Sequence, residues 1–249
     1  MFQKIKIDSV ALDLLSEADI SRITKGTIKD NTKCWIGNFN GHAINLIYDE
    51  KNFSDYIKKA KFNFCDGNGL AILLWLLLRV KPKQVTYNRW FDAFIKEMAD
   101  DNFKFFFLGD EEDTIQAAYN YINEYKNGAC VGVANGFFDK SEGPKIVNKI
   151  NRSGAHILIV GMGMPRQEEF ISRYFDDLNS NVIFNGGACF KFLTNQIKQC
   201  PTIISRLGLE WAYRMVKEPK RLWKRYIIGN PKLIFRLIKL KIFGKLKYV

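Results

Sequence analysis

Short apolar runs alternate with helical stretches along the first 195 residues of this 249-residue chain. Candidate strands cover residues 34–37, 62–65, 103–108, 130–134, 156–160 and 182–184. Candidate helices cover 69–78, 89–100, 112–124, 142–152 and 165–175. Strand–helix alternation of this kind predicts a parallel sheet with helices on both faces. In such sheets ligands bind at the carboxyl ends of the strands, so chemistry is expected in the loops that leave a strand and enter a helix.

From about residue 194 the pattern changes. No further β-rich run is expected there, and Pro201, Pro219 and Pro231 punctuate three helical stretches, 201–217, 219–228 and 231–243. Proline is tolerated in a first helical turn and breaks a helix elsewhere. Charge divides at the same place. Residues 196–249 hold fourteen Lys/Arg and only two acids, Glu210 and Glu218, which accounts for the whole net charge of +12. We therefore divide the chain into an α/β core, 1–195, and a basic helical appendage, 196–249. Large aliphatic and aromatic residues lie between the appendage's charges, and a membrane surface offers both an anionic and an apolar partner.

The longest apolar run, residues 70–78, is far short of the roughly 20 residues a bilayer-spanning helix needs, and is expected to be a buried helix of a soluble core. The N-terminus has no apolar run of the signal-peptide kind. The five cysteines form no CxxC pair and are read as reduced thiols of a cytoplasmic protein. His42 and His156 stand far apart and read as ordinary packed or surface histidines. No Asp-x-Asp metal clamp and no Ser/His/Asp or Cys/His nucleophile set is evident.

Four loops carry chemistry. In Phe64-Cys65-Asp66-Gly67-Asn68-Gly69 a strand delivers Asp66 to its end, where it can cap the next helix or serve as a carboxylate base. In Val160-Gly161-Met162-Gly163-Met164-Pro165-Arg166-Gln167-Glu168 a buried strand runs into Gly-x-Gly and then a proline at the first helical position. Backbone N–H groups at such a helix start suit a diphosphate, and Gln167 can offer an amide to a sugar or phosphate or remain a solvated first-turn residue. A dinucleotide fingerprint would need a third glycine where Arg166 stands. The pair Gly186-Gly187 again allows close backbone approach. Finally, Arg214, Arg221 and Arg225 recur at helical spacings beside tryptophans, a pattern suited to phosphate.

Together these blocks resemble the WecG/TagA/CpsF glycosyltransferase family, over roughly residues 38–231. The resemblance implies a Rossmann-like α/β core and a membrane-associated, inverting, metal-independent transferase that uses no cofactor. It moves a sugar, of N-acetylmannosamine, uronic acid or hexose type, from a UDP-sugar to a polyprenyl-diphosphate-linked saccharide. Such enzymes serve teichoic acid, capsule, exopolysaccharide or enterobacterial common antigen synthesis, peripherally at the cytoplasmic face of the bacterial plasma membrane. Asp66 matches the family's proposed base, Asn40 its upstream asparagine and Gln167 its helix-start glutamine. Gly161, Gly163, Pro165, Gly186, Gly187 and Glu210 fall on the donor side. Arg214, Arg221 and Arg225 fall where appendage arginines meet the acceptor diphosphate. Appendages of this kind pack in cis, swap between subunits or order on lipid, so a homo-oligomer stays open.

The chain departs from the family pattern at Asn38, Gln84, Tyr87, Arg89 and Cys189-Phe190, which leaves the donor sugar undetermined; Arg89 is a candidate to replace the arginine lost at Gln84. Three rival readings remain. A nucleic-acid binder would account for the basic end, but no recognition motif appears and none is expected as partner. A nucleotide-cofactor oxidoreductase lacks its third glycine. A non-catalytic family member would bind lipid-linked sugar or scaffold a complex.

Overall fold

The computed structural model describes every residue except Met1, Gln84 and Leu207, and all other side chains except those of Asn88, Thr202, Arg206 and Arg221. Among the described residues nine strands form one sheet: β1 Lys4–Ile7, β2 Val10–Asp13, β3 Cys34–Phe39, β4 Phe62–Cys65, β5 Phe105–Gly109, β6 Cys130–Ala134, β7 Ile157–Gly161, β8 Val182–Asn185 and β9 Leu246–Tyr248. Their spatial order is β6-β5-β7-β8-β3-β4-β2-β1-β9. Every pairing from β6 to β2 is parallel, while β1 runs antiparallel to both β2 and β9. The expected Rossmann-like α/β core is what forms.

The central strands are continuous aromatic and aliphatic runs because both their faces are covered. Phe105, Phe106, Phe107 and Leu108 of β5 are all fully buried. Rings from alternate positions go to opposite sides. Phe105 and Phe107 join the cluster under helix Tyr87–Asp100, and Phe106 joins that under helix Gly143–Ser153.

The six expected strands are present, with ends shifted by up to two residues. The hairpin β1–β2 and the closing strand β9 were not expected, nor were helices Glu17–Lys29, Gly41–Asp49 and Phe53–Lys58. The expectation of no strand beyond residue 194 is thus corrected. β9 pairs Ile5 with Tyr248 and Ile7 with Leu246, and Leu233, Leu237, Leu240 and Leu246 share a buried cluster with Ile5, Ile7 and Phe39.

The helical stretch 201–217 is two helices, Thr202–Arg206 and Glu210–Lys217, separated by Gly208 in the left-handed region (φ +74°). The stretch 219–228 is one α-helical turn, Pro219–Trp223, running into a π-helical turn, Lys224–Ile228. The last helix, Gly229–Ile242, carries Pro231 in its first turn. A second expectation is corrected at residues 70–78. They do form helix Asn68–Leu78, but its outer face is open, with Trp75 and Leu76 exposed by 44% and 52%. No helix of the described residues is long and apolar enough to cross a membrane.

Candidate functional site

A cleft of about 1340 Å³ opens where β3, β4, β5, β7 and β8 end, and its outer wall is the C-terminal segment from Gly208 to Ile234. The carboxyl ends of parallel strands point their side chains and turns into it, as expected for an open α/β sheet.

Asp66 follows β4 and lines this cleft beside Asn40, which follows β3. Both come to one place because β3 and β4 are neighbours in register, with Phe39 opposite Cys65. Asn40 caps helix Gly41–Asp49: its Oδ1 accepts from the N–H groups of His42 and Ala43 at 3.0 and 3.2 Å. That role fixes the side chain and leaves Nδ2 directed at Asp66 Oδ2, 3.5 Å away. The other oxygen, Oδ1, accepts from the Tyr87 N–H at 3.3 Å. Asp66 is therefore not the cap of the helix that comes after it, since Gly67 holds the cap position without a side-chain bond.

Burial raises the Asp66 carboxyl to about 6, and the charge of Glu210 adds to the rise; Tyr87 N–H, Asn40 and Arg214 pull it back. A carboxylate with that affinity for a proton is ionised at neutral pH and still basic enough to accept one. His42 nearby stays neutral, its pKa held down to about 4 by burial and then by the charge of Arg225.

The glycine turns after β7 and β8 are arranged differently from the sequence expectation. Gly163 (φ +76°) and Gly187 (φ +59°) are left-handed with open space beside them, so glycine is required there by conformation, not by crowding. Their N–H groups do not face an open anion site. Both donate to one acceptor, Gln167 Oε1, at 3.1 and 2.9 Å. Gln167 is fully buried and is neither a solvated residue nor a free amide.

Gln167 Nε2 donates to Glu168 Oε1 at 2.8 Å, and Asn185 Nδ2 donates to the same oxygen at 2.8 Å. Asn185 Nδ2 also reaches Asn38 Oδ1 at 2.9 Å, while Asn185 Oδ1 accepts from Trp35 Nε1 and Asn38 N–H. Burial pushes the Glu168 carboxyl up to about 7, and its Oε2 is buried without a partner. This network clamps the ends of β7, β8 and β3 together beneath the cleft floor. Gly161 ends β7, Gly186 comes directly after β8, and both line the cleft. Pro165 sits at the cap, one position before helix Arg166–Tyr174.

The outer wall supplies cations. Arg214, Lys224 and Arg225 line the cleft from helices Glu210–Lys217 and Lys224–Ile228. Arg214 packs its guanidinium 5.5 Å from the Phe192 ring centre, with its Nε buried and unpartnered. Glu210 lines the same region, with Ser205 Oγ 3.3 Å from its Oε2. The side chain of Arg221, the third arginine of the expected set, lies outside the described residues, as does Gln84.

Arg89, the candidate to replace the arginine lost at Gln84, is not among the residues that line the cleft. Its Nη2 donates to the Cys200 carbonyl at 2.5 Å, tying helix Tyr87–Asp100 to the segment before Pro201. Tyr87, also outside the family pattern, is buried in an aromatic cluster with Phe64, Trp90 and Phe91.

Sequence reasoning missed Glu168, Asn185 and the ion pair Asp110–Lys191 (3.1 Å), both members of which line the cleft. Asp110 was findable: it comes directly after an apolar strand, as Asp66 does. Among the described residues no three His, Cys, Asp or Glu side chains gather in a way that could hold a metal ion.

The arrangement is a partly buried carboxylate and an asparagine at one side of a large cleft, glycine turns on its floor and arginines on its outer wall. It suits deprotonation of a hydroxyl beside an anionic substrate. The family model of the WecG/TagA/CpsF glycosyl transferases matches residues 5–247, nearly the whole chain, and the protein belongs to that family.

Proposed function

We propose that this glycosyltransferase moves a sugar from a UDP-sugar to a polyprenyl-diphosphate-linked saccharide, with inversion and without a metal. The observation that carries the reading is Asp66, raised to about 6 between Asn40, Glu210 and Arg214 in the cleft.

Asp66 takes the proton of the acceptor hydroxyl as the oxygen attacks the anomeric carbon. The bond to the UDP oxygen breaks on the opposite face, and UDP leaves with the electron pair. Asn40 holds Asp66 in place. The glycine turns at Gly161–Gly163 and Gly186–Gly187, with Glu210, frame the donor, Pro165 holds the cap position of the helix behind them, and Gln167 fixes those turns. Arg214, Arg221 and Arg225 bind the acceptor diphosphate. Lys232 and Arg236 pair with Asp49 and Lys245 pairs with Asp8; the remaining basic residues of 196–249, contributing roughly 1 kcal/mol each near an anionic surface, support a peripheral position at the cytoplasmic face of the membrane.

Thermal unfolding in the presence of UDP, UDP-sugars, GDP-sugars and NAD tests the donor class. A ligand at 100 times its Kd adds about 2.7 kcal/mol. A rise in Tm with UDP, and a larger one with a single UDP-sugar, supports the reading and identifies the donor. A rise with NAD alone, or none with any uridine nucleotide, overturns it.

A further inference from the structure

Helix Asn68–Leu78 has no polar face: every residue from Leu70 to its end is apolar. Its inner side, Leu70, Ala71 and Leu74, is buried against Leu233 and Leu237 of helix Gly229–Ile242. Its outer side presents Trp75 and Leu76, 44% and 52% exposed. A helix that is apolar all round belongs inside a core or against lipid, and this one is only half inside.

Charge and continuity say what covers the open side. No acid occurs between residues 67 and 91. Arg79 and Lys81 are exposed just past the helix end, and the Arg79 guanidinium stands 6.0 Å from the Trp75 ring centre. A tryptophan beside cations is the arrangement found at membrane–water boundaries. A second copy meeting this face about a two-fold axis would bring like charges together. The neighbouring segment continues the apolar surface: Gly208 packs on Ile72, and Ile203 and Leu209 are exposed by 75% and 44%. The same helix starts two residues after Asp66 and gives Gly69, Leu70, Ile72 and Leu73 to the cleft wall.

We propose that this core helix is a membrane-docking element, its Trp75–Leu76 face seated at the acyl boundary of an anionic bilayer with Arg79 and Lys81 among the headgroups. The inference rests on the lipid-linked acceptor reading. It goes beyond it by placing membrane contact on the α/β core beside the base, rather than on residues 196–249 alone. The cleft mouth then meets the bilayer surface, and an acceptor diphosphate reaches the site while its lipid stays in the membrane.

The five native cysteines are all buried, so a Leu76→Cys variant of the full chain can be labelled selectively with an environment-sensitive fluorophore. Vesicles of phosphatidylethanolamine with phosphatidylglycerol are added, with pure phosphatidylcholine as the neutral control. The expected result is a blue-shifted, brighter label at residue 76 on the anionic vesicles only. A label at Tyr125→Cys, on the helix beside the far sheet edge, stays in water. Leu76→Asp lowers the vesicle partition coefficient by about tenfold or more, with the UDP-induced rise in Tm unchanged.

Unlabelled protein that sediments with anionic vesicles while the label at 76 stays in water overturns this inference alone. Protein that sediments with no vesicle overturns the lipid-surface reading too. A label shielded before vesicles are added, together with a dimer mass in analytical ultracentrifugation, assigns the face to a second copy and overturns the inference.

Discussion

The floor and the outer wall of the cleft are built on opposite principles. The floor is a closed network: Gln167, Glu168, Asn185 and Asn38 are at most 6% exposed, and they bond chiefly to one another and to backbone N–H groups. The outer wall is a row of cations on short helices. Arg214 keeps a buried, unpartnered Nε, and Trp223, Ile227 and Ile228 remain about half exposed. A closed network fixes geometry before a ligand arrives, which is what a donor site gains from preorganisation. A cationic wall with an unused donor is completed by its ligand. On the proposed function, donor positioning falls to the floor and acceptor capture to the wall.

Breaking the floor has the largest expected effect on stability. Glu168→Met removes the acceptor shared by Gln167 and Asn185, so the Gln167 amide loses its bond and the Asn185 amide keeps only the one to Asn38. At about 1–3 kcal/mol for each unsatisfied group, partly offset by loss of a buried carboxyl, the net cost is about 2–4 kcal/mol in urea unfolding. Glu168→Gln keeps a carbonyl in the same position and costs much less.

Comparing Glu168→Gln with wild type sharpens the point through pH. The Glu168 carboxyl is raised from 4.5 in the unfolded chain to about 7 in the fold. The folded state therefore binds its proton more tightly, and this contribution to stability is fully present below about 4.5 and lost as pH rises to about 7. Glu168→Gln removes that loss. Its stability relative to wild type increases with pH across that window, which urea titrations at a series of pH values will show.

The wall responds differently. Arg214→Ala raises the acceptor KM about tenfold, the equivalent of 1.4 kcal/mol, and leaves donor KM and urea stability near wild type. A matching rise in donor KM would erase the division between floor and wall.

The smallest expected effects are shifts of the acid limb of the pH–rate profile. Asp66 must be ionised to act, so kcat/KM rises through about pH 6 and then levels. Glu210 raises the Asp66 pKa and Arg214 lowers it. Glu210→Gln therefore moves the limb to lower pH, and Arg214→Gln moves it to higher pH.

The closed floor was also the part hardest to read from sequence. Apolar runs such as Phe105–Gly109 and Ile157–Gly161 announce buried strands, and the Gly-x-Gly and Asp66 loops announce turns at the strand ends. The partners of Gln167 do not show, because Gly187 lies 20 residues away and Asn38 reaches Asn185 across 147. Both contacts depend on sheet order. The strand Lys4–Ile7 and the edge strand Leu246–Tyr248 beside it were missed for another reason. They are four and three residues long and interleaved with lysines, as short edge strands commonly are. The run 70–78 misled in the opposite direction, since hydropathy reports that a surface needs cover but not whether protein supplies it.

The most direct test of the account is transfer by Asp66→Asn, measured against wild type with the donor identified by thermal shift and a polyprenyl-diphosphate-linked acceptor. Asparagine keeps the size and one of the two accepted hydrogen bonds, its Oδ1 taking the Tyr87 N–H, but it cannot accept the acceptor's proton. The account predicts a fall in kcat of about 10²- to 10⁴-fold, the usual contribution of a general base, with the UDP-induced rise in Tm retained. A variant that transfers sugar at the wild-type rate would remove Asp66 from the chemistry and contradict the account at its centre.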